Sequence, residues 1–81
     1  MSEINPQAPI VRAFQLFSSQ ADMARACDVS QPIVHKWLRT GKVSAGAAVR
    51  IERATRARDP QRVVHRWELN EIFMDDLDET A

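Results

Sequence analysis

The chain is poor in the residues that most chemistry needs: one cysteine, two histidines and two glycines among 81 residues. A lone thiol, Cys27, cannot close an intramolecular disulfide and has no second thiol for a metal site, the pattern of a reduced cytoplasmic protein. His35 and His65 lie 30 residues apart, with no nucleophile constellation, metal-ligand cluster or glycine-rich phosphate loop. Neither enzyme activity nor a cofactor is therefore expected, and no small-molecule effector is evident. The apolar runs are far too short to span a bilayer. The opening MSEINPQAP is polar and proline-broken, unlike a signal peptide, so no membrane association is expected. Exposed aromatics for stacking on single-stranded bases are lacking, which disfavours RNA. There are no internal repeats. A chain of this size is one domain that buries roughly 60% of its unfolded surface. Its core is too small to enclose a substrate cavity comfortably, and dimerisation would help it.

Bases are also missing from one end. Residues 1–66 hold all 11 Lys and Arg with 5 acids, giving +6, whereas Glu68, Glu71, Asp75, Asp76, Asp78 and Glu79 give residues 67–81 a charge of −6. The zero net charge hides this segregation. The basic part can attract a polyanion, and the acidic tail can repel one or fold back on the basic surface.

What is present is helical patterning. Residues 1–8 read as a loose arm. Pro9 suits a first helical position, with Ile10, Phe14 and Phe17 at helical spacing until Ser18–Ser19 interrupts. Ser19 is an N-cap for a second helix, and Asp22 completes a capping-box-like S-x-x-D. That helix runs to about Cys27, with Met23, Ala24 and Cys27 inward. Asp28–Val29–Ser30 makes a turn and Ser30 caps a third helix, whose first turn tolerates Pro32. Thr40–Gly41 ends it. Ser44 caps a fourth helix through about Thr55, burying Ala47 or Ala48, Val49, Ile51 and Ala54. Arg56–Pro60 reads as a basic loop. Val63, Val64, Trp67, Leu69, Ile72 and Phe73 supply the remaining core, through a short helix around Arg66–Phe73 or a strand at Arg62–Arg66. The helix is favoured because no partner strand is visible. Asp75–Ala81 is expected to be disordered.

The third helix carries the functional signal. About 100° per residue puts Ile33, Val34, Trp37 and Leu38 on one arc and Gln31, Pro32, His35, Lys36 and Arg39 on the other. A buried stripe opposite Gln, His, Lys and Arg suits a helix that lies in the DNA major groove while gripping its own protein.

Gln20–Arg39 resembles the helix-turn-helix of phage Cro-like repressors and of the related YdaS-type regulators. The likeness continues through VSQPIVHKWLRTGKVSAGAAVRIERAT and into VHRWEL, covering about residues 12–73. It implies an all-α, lambda-repressor-like domain of four to five helices over residues 9–73. The segment after Leu69 is atypical, and the acidic tail at 74–81 is not carried over from the family. Ala24 matches the small residue at the helix crossing, and Val29, Val34 and Trp37 match the apolar positions that lock the two helices. Ser30, Gln31, Pro32, His35, Lys36 and Arg39 fall where such proteins face DNA. Asp28 departs from the family's usual glycine in a left-handed turn, a conformation that Asp tolerates better than most side chains.

The function implied is a small phage- or prophage-type repressor that binds a palindromic operator as a homodimer. Its half-sites would lie about one helical turn apart. Gln31 suits a bidentate contact to adenine, against a solvated first-turn residue as the alternative. Lys36 and Arg39 reach guanine edges or phosphates. His35 is either a donor to base or phosphate or simply exposed. Ser30 is a cap that can also touch phosphate. Gln20, at the start of the second helix, suits a phosphate because free N–H groups and the dipole favour an anion. Lys42 is the best phosphate grip of a stretch that also holds Arg50, Arg53, Arg56, Arg58 and Arg62. The competing class is a protein-interaction module, in which the helix-turn-helix is structural and Ile72, Phe73, Met74 and Leu77 bind a partner. Trp67, Ile72 and Phe73 read either as late core or as a dimer surface.

Overall fold

A computed structural model of the chain describes residues 8–73. The expected arm before Ala8 and the acidic tail at 74–81 lie outside the described residues. The architecture is all-α, with five helices and no strand among the described residues: α1 Pro9–Phe14, α2 Gln20–Cys27, α3 Gln31–Thr40, α4 Ala45–Arg58 and α5 Arg66–Leu69. Pro60–Arg62 and Glu71–Phe73 form single 3-10 turns.

Local chemistry sets most boundaries. Pro9 occupies the first turn of α1, where its missing N–H removes no intrahelical bond. Ser19 caps α2 by accepting the Asp22 N–H at 3.0 Å. The carboxylate of Asp22 does not return to the Ser19 N–H; it accepts from the Ser18 N–H at 2.9 Å, one residue earlier than a capping box would place it. Asp28 ends α2 in the left-handed region with φ 59°, and Gly41 ends α3 with φ 74°. Ser44 caps α4 through the Ala47 N–H at 3.2 Å.

Ser30 precedes α3 as expected, but its side chain makes no capping bond. The second helical residue, Pro32, has no N–H to offer, and the Ile33 N–H is taken by the Ser30 carbonyl at 3.1 Å.

α4 runs three residues past the expected end, so Arg56, Ala57 and Arg58 are helical and not a loop. Cations in a last turn complement the helix dipole. Pro60 sets the true end by forcing Asp59 into extended backbone, φ −154° and ψ 97°, as a residue before proline must be.

The core lies between these helices. Ile10, Ala13 and Phe17 from the first segment meet Met23, Ala24 and Cys27 of α2, Val34 and Trp37 of α3, and Ala48 and Ile51 of α4. Not every expected core position is buried. Val49 is only half-buried, while Glu52 and Thr55 are buried in the same helix. Ile33 is 41% exposed, because the inward stripe of α3 narrows to Val34 and Trp37 and no described segment covers the Ile33 side.

The C-terminal segment resolves the choice between helix and strand in favour of helix. Thr55 receives the Val64 N–H on its hydroxyl at 3.1 Å, burying Val64 to 1% exposure. Glu52 then clasps the next turn: its carboxylate accepts from Arg66 Nε at 2.7 Å and lies 3.2 Å from His65 Nδ1. Arg12 of α1 donates to Glu68, which also accepts the His65 N–H at 2.9 Å. Leu69 and Phe73 pack partly against the core. Trp67 is half-buried and stacks on His65, with centroids 4.6 Å apart. Ile72 is 68% exposed and so is not core.

Candidate nucleic-acid interface

α2, the turn and α3 place one helix on top of the other, and Ala24 (5% exposed) provides the close approach. Val34 and Trp37 fix the inner face of α3 at 0% and 4% exposure. The opposite arc is open: Ser30, Gln31, Pro32, His35, Lys36 and Arg39 are all exposed. Among the described residues none of the side chains of Gln31, His35, Lys36 and Arg39 has a hydrogen-bond or ion-pair partner.

Two shallow depressions flank α3. One, of about 390 Å³, is lined by Gln20, Gln31, Pro32 and His35, so the start of α2 and the first turns of α3 share one surface. The other, of about 440 Å³, has Val29, Ile33 and Trp37 as apolar walls and Lys36, Lys42 and Arg50 as basic ones. Lys42 stands beside the end of α3 because Thr40 holds it there. The Thr40 hydroxyl donates to the Lys36 carbonyl at 2.8 Å and accepts the Lys42 N–H at 3.2 Å. Of the eight residues singled out in the sequence, Gln20, Gln31, Pro32, His35, Lys36 and Lys42 therefore line this pair of depressions. Ser30 and Arg39 flank them, exposed.

The basic stretch divides. Arg50 donates to the carbonyls of Cys27 and Asp28 at 3.3 Å each and to the Asp28 carboxylate at 3.4 Å. Arg58 pairs with Asp22 at 3.1 Å and lies 4.8 Å over the Phe17 ring. Arg56 approaches Glu52 at 3.9 Å. Lys42, Arg53 and Arg62 have no ion pair among the described residues. Paired cations are already partly neutralised, so the unpaired charge rests on Lys36, Arg39 and Lys42 of α3 and its connector, and on Arg53 and Arg62 of α4 and the turn that follows it. The Ser18 N–H, the Ser18 hydroxyl and Arg58 hold Asp22 below the usual carboxylate range despite some desolvation. It is therefore ionised near Gln20, which weakens that helix start as a phosphate anchor.

Two contributors escaped the sequence reading. Thr40 looked like a helix end and also carries the Lys42 connector, a role its place beside Gly41 hinted at. Arg50 looked like a phosphate grip and instead braces the turn, across 22 residues of chain that leave no local signal. Cys27 is inert: burial pushes its thiol up to about 11. Among the described residues no group of three or more His, Cys, Asp or Glu can hold a metal ion, and no helix is long and apolar enough to cross a membrane.

Residues 10–71 match the family model described as bacterial toxin YdaS. The chain belongs to the YdaS family. The match spans α1 to the last 3-10 turn, and so includes α2, the turn and α3. Membership places this YdaS-family chain with phage-associated, helix-turn-helix-like proteins of the regulator or toxin–antitoxin type. No individual curated protein and no solved structure gives a match.

Proposed function

We propose that this YdaS-family protein is a regulator that reads double-stranded DNA with α3 in the major groove. It acts as a Cro-like repressor, binding a palindromic operator as a homodimer. The observation that carries the reading is the division of α3: Val34 and Trp37 are buried, while Gln31, His35, Lys36 and Arg39 are exposed and unpaired among the described residues. Side chains that satisfy nothing within their own fold are available to base edges and phosphates. Gln31 reads adenine, Lys36 and Arg39 contact guanine or phosphate, and Lys42 grips the backbone. Repression follows from occupying a promoter.

Selection from a random duplex pool at near-physiological salt tests this. An enriched two-fold motif with half-sites about 10 bp apart supports it. A folded protein that enriches no motif refutes it.

The exposure of Ile72 at 68% favours a second reading, in which the acidic, apolar end binds a partner protein. Deleting residues 74–81 separates the two. DNA binding survives or strengthens under the first reading, and the partner is lost under the second.

A further inference from the structure

We infer that residues 74–81 of this chain dock in the basic groove beside α3, where they compete with DNA for Lys36 and Lys42. The competition rests on the DNA-binding reading; the docking does not.

The groove has three apolar walls, Val29, Ile33 and Trp37, three cations, Lys36, Lys42 and Arg50, and no acidic lining residue. Ile33 remains 41% exposed in it. Arg50 is already engaged by Asp28 at 3.4 Å, so the two lysines dominate the rim. An occupant that fits must offer carboxylates and apolar groups together. The segment MDDLDETA at 74–81 offers Asp75, Asp76, Asp78 and Glu79 with Met74 and Leu77, and no base.

Geometry brings the segment near. The Asn70 side-chain amide donates to the Val43 carbonyl at 2.9 Å, pinning the chain beside the connector that carries Lys42. Eight residues beyond Phe73 reach up to about 26–29 Å when extended, comparable to the 33 × 31 × 21 Å extents of the domain. A tethered segment sees its site at millimolar effective concentration, so a few weak charge contacts suffice. DNA phosphates make the same demand on the same lysines, which makes the two ligands mutually exclusive.

The test uses the full chain carrying Thr80→Cys with a nitroxide label. Cys27 is 2% exposed, and burial pushes its thiol up to about 11, so the label goes to position 80. Paramagnetic broadening of amide signals is expected to centre on Ile33, Lys36, Lys42 and Gly46. It should persist on dilution, and both added salt and the combined Asp75→Asn, Asp76→Asn, Asp78→Asn and Glu79→Gln substitutions should relieve it. Broadening centred elsewhere, or none above the domain average, overturns the docking. Broadening that fades on dilution overturns it too, by assigning the groove to a second copy.

The neutralised variant is also expected to bind random-sequence duplex about three- to tenfold tighter, the gain when a mostly occupied groove is released. Docking with unchanged DNA affinity overturns the competition. Docking with no DNA binding by either protein overturns the DNA-binding reading and leaves the docking standing.

Discussion

Arg50 reaches from α4 to the turn before α3 and holds it by three contacts: its guanidinium meets the Asp28 carboxylate at 3.4 Å and the carbonyls of Asp28 and Cys27 at 3.3 Å. Those carbonyls belong to the end of α2, where intrahelical donors run out. A residue in α4 thus caps α2 and orients α3.

Arg50→Ala is expected to destabilise the fold by about 1 kcal/mol, the scale of a hydrogen bond to a charged donor reduced by the solvent that half-exposed side chain meets. Urea unfolding followed by tryptophan fluorescence measures it. An unchanged midpoint would mean the contacts are incidental. Asp28→Ala should add a similar loss, because a left-handed φ of 59° suits alanine poorly. Asp28→Gly should stay close to the parent protein.

Gln31→Ala is expected to relax base preference at one position of the selected motif, a discrimination of about 1–3 kcal/mol, more than it weakens overall affinity. Lys42→Ala should weaken all duplexes alike and flatten the slope of log K against log salt by about 0.9. Titrations at several salt concentrations distinguish the two behaviours. A Lys42 variant with changed sequence preference would contradict the assignment to phosphate.

Trp37, at 4% exposure, anchors α3 to the core. Trp37→Ala is expected to cost about 3–5 kcal/mol, enough to unfold a small domain. Thermal unfolding by circular dichroism reads this directly, and a normal midpoint refutes the anchoring role.

Acid should loosen the C-terminal clasp. Burial alone would raise the Glu52 carboxyl, but bonds from Arg66 and His65 outweigh it and hold the group below its ordinary value of 4.5. Glu68 is lowered in the same way, with Arg12 and the His65 N–H overcoming its burial. A carboxylate whose value is lower folded than unfolded adds stability above the unfolded value. That contribution fades as the pH falls from 4.5 through the lower folded value. Glu52→Gln is expected to lose about 1–3 kcal/mol at neutral pH and to show a shallower acid slope. Denaturation curves across the acid range provide the measurement; an identical slope in parent and variant would exclude Glu52 as a contributor.

How much was legible in the sequence follows from how far each interaction reaches. Ser19, Ser44, Gly41, Pro9 and Pro32 act on backbone groups within four residues. The starts of α1 to α4, the Ser19 and Ser44 caps and the turn at Asp28 could therefore be read from neighbouring letters. The Ser30 cap and the Asp22 half of the capping box did not form. The 100° repeat likewise separated Val34 and Trp37 from Gln31, His35, Lys36 and Arg39, because a helix converts spacing directly into direction. Ile33 fell on the wrong side because the width of a buried stripe depends on what packs against it, not on the helix itself.

The remaining decisions needed partners distant in sequence. Arg58, placed in a loop by the sequence reading, closes α4 by reaching Asp22 across 36 residues. Glu52 is buried because His65 and Arg66 return to it, and Arg12 meets Glu68 across 56 residues. A charged residue in a sequence reads as surface until its counter-charge is in place. Only the folded chain brings those charges together, and among the described residues it leaves the cations of α3 and its connector without a counter-charge.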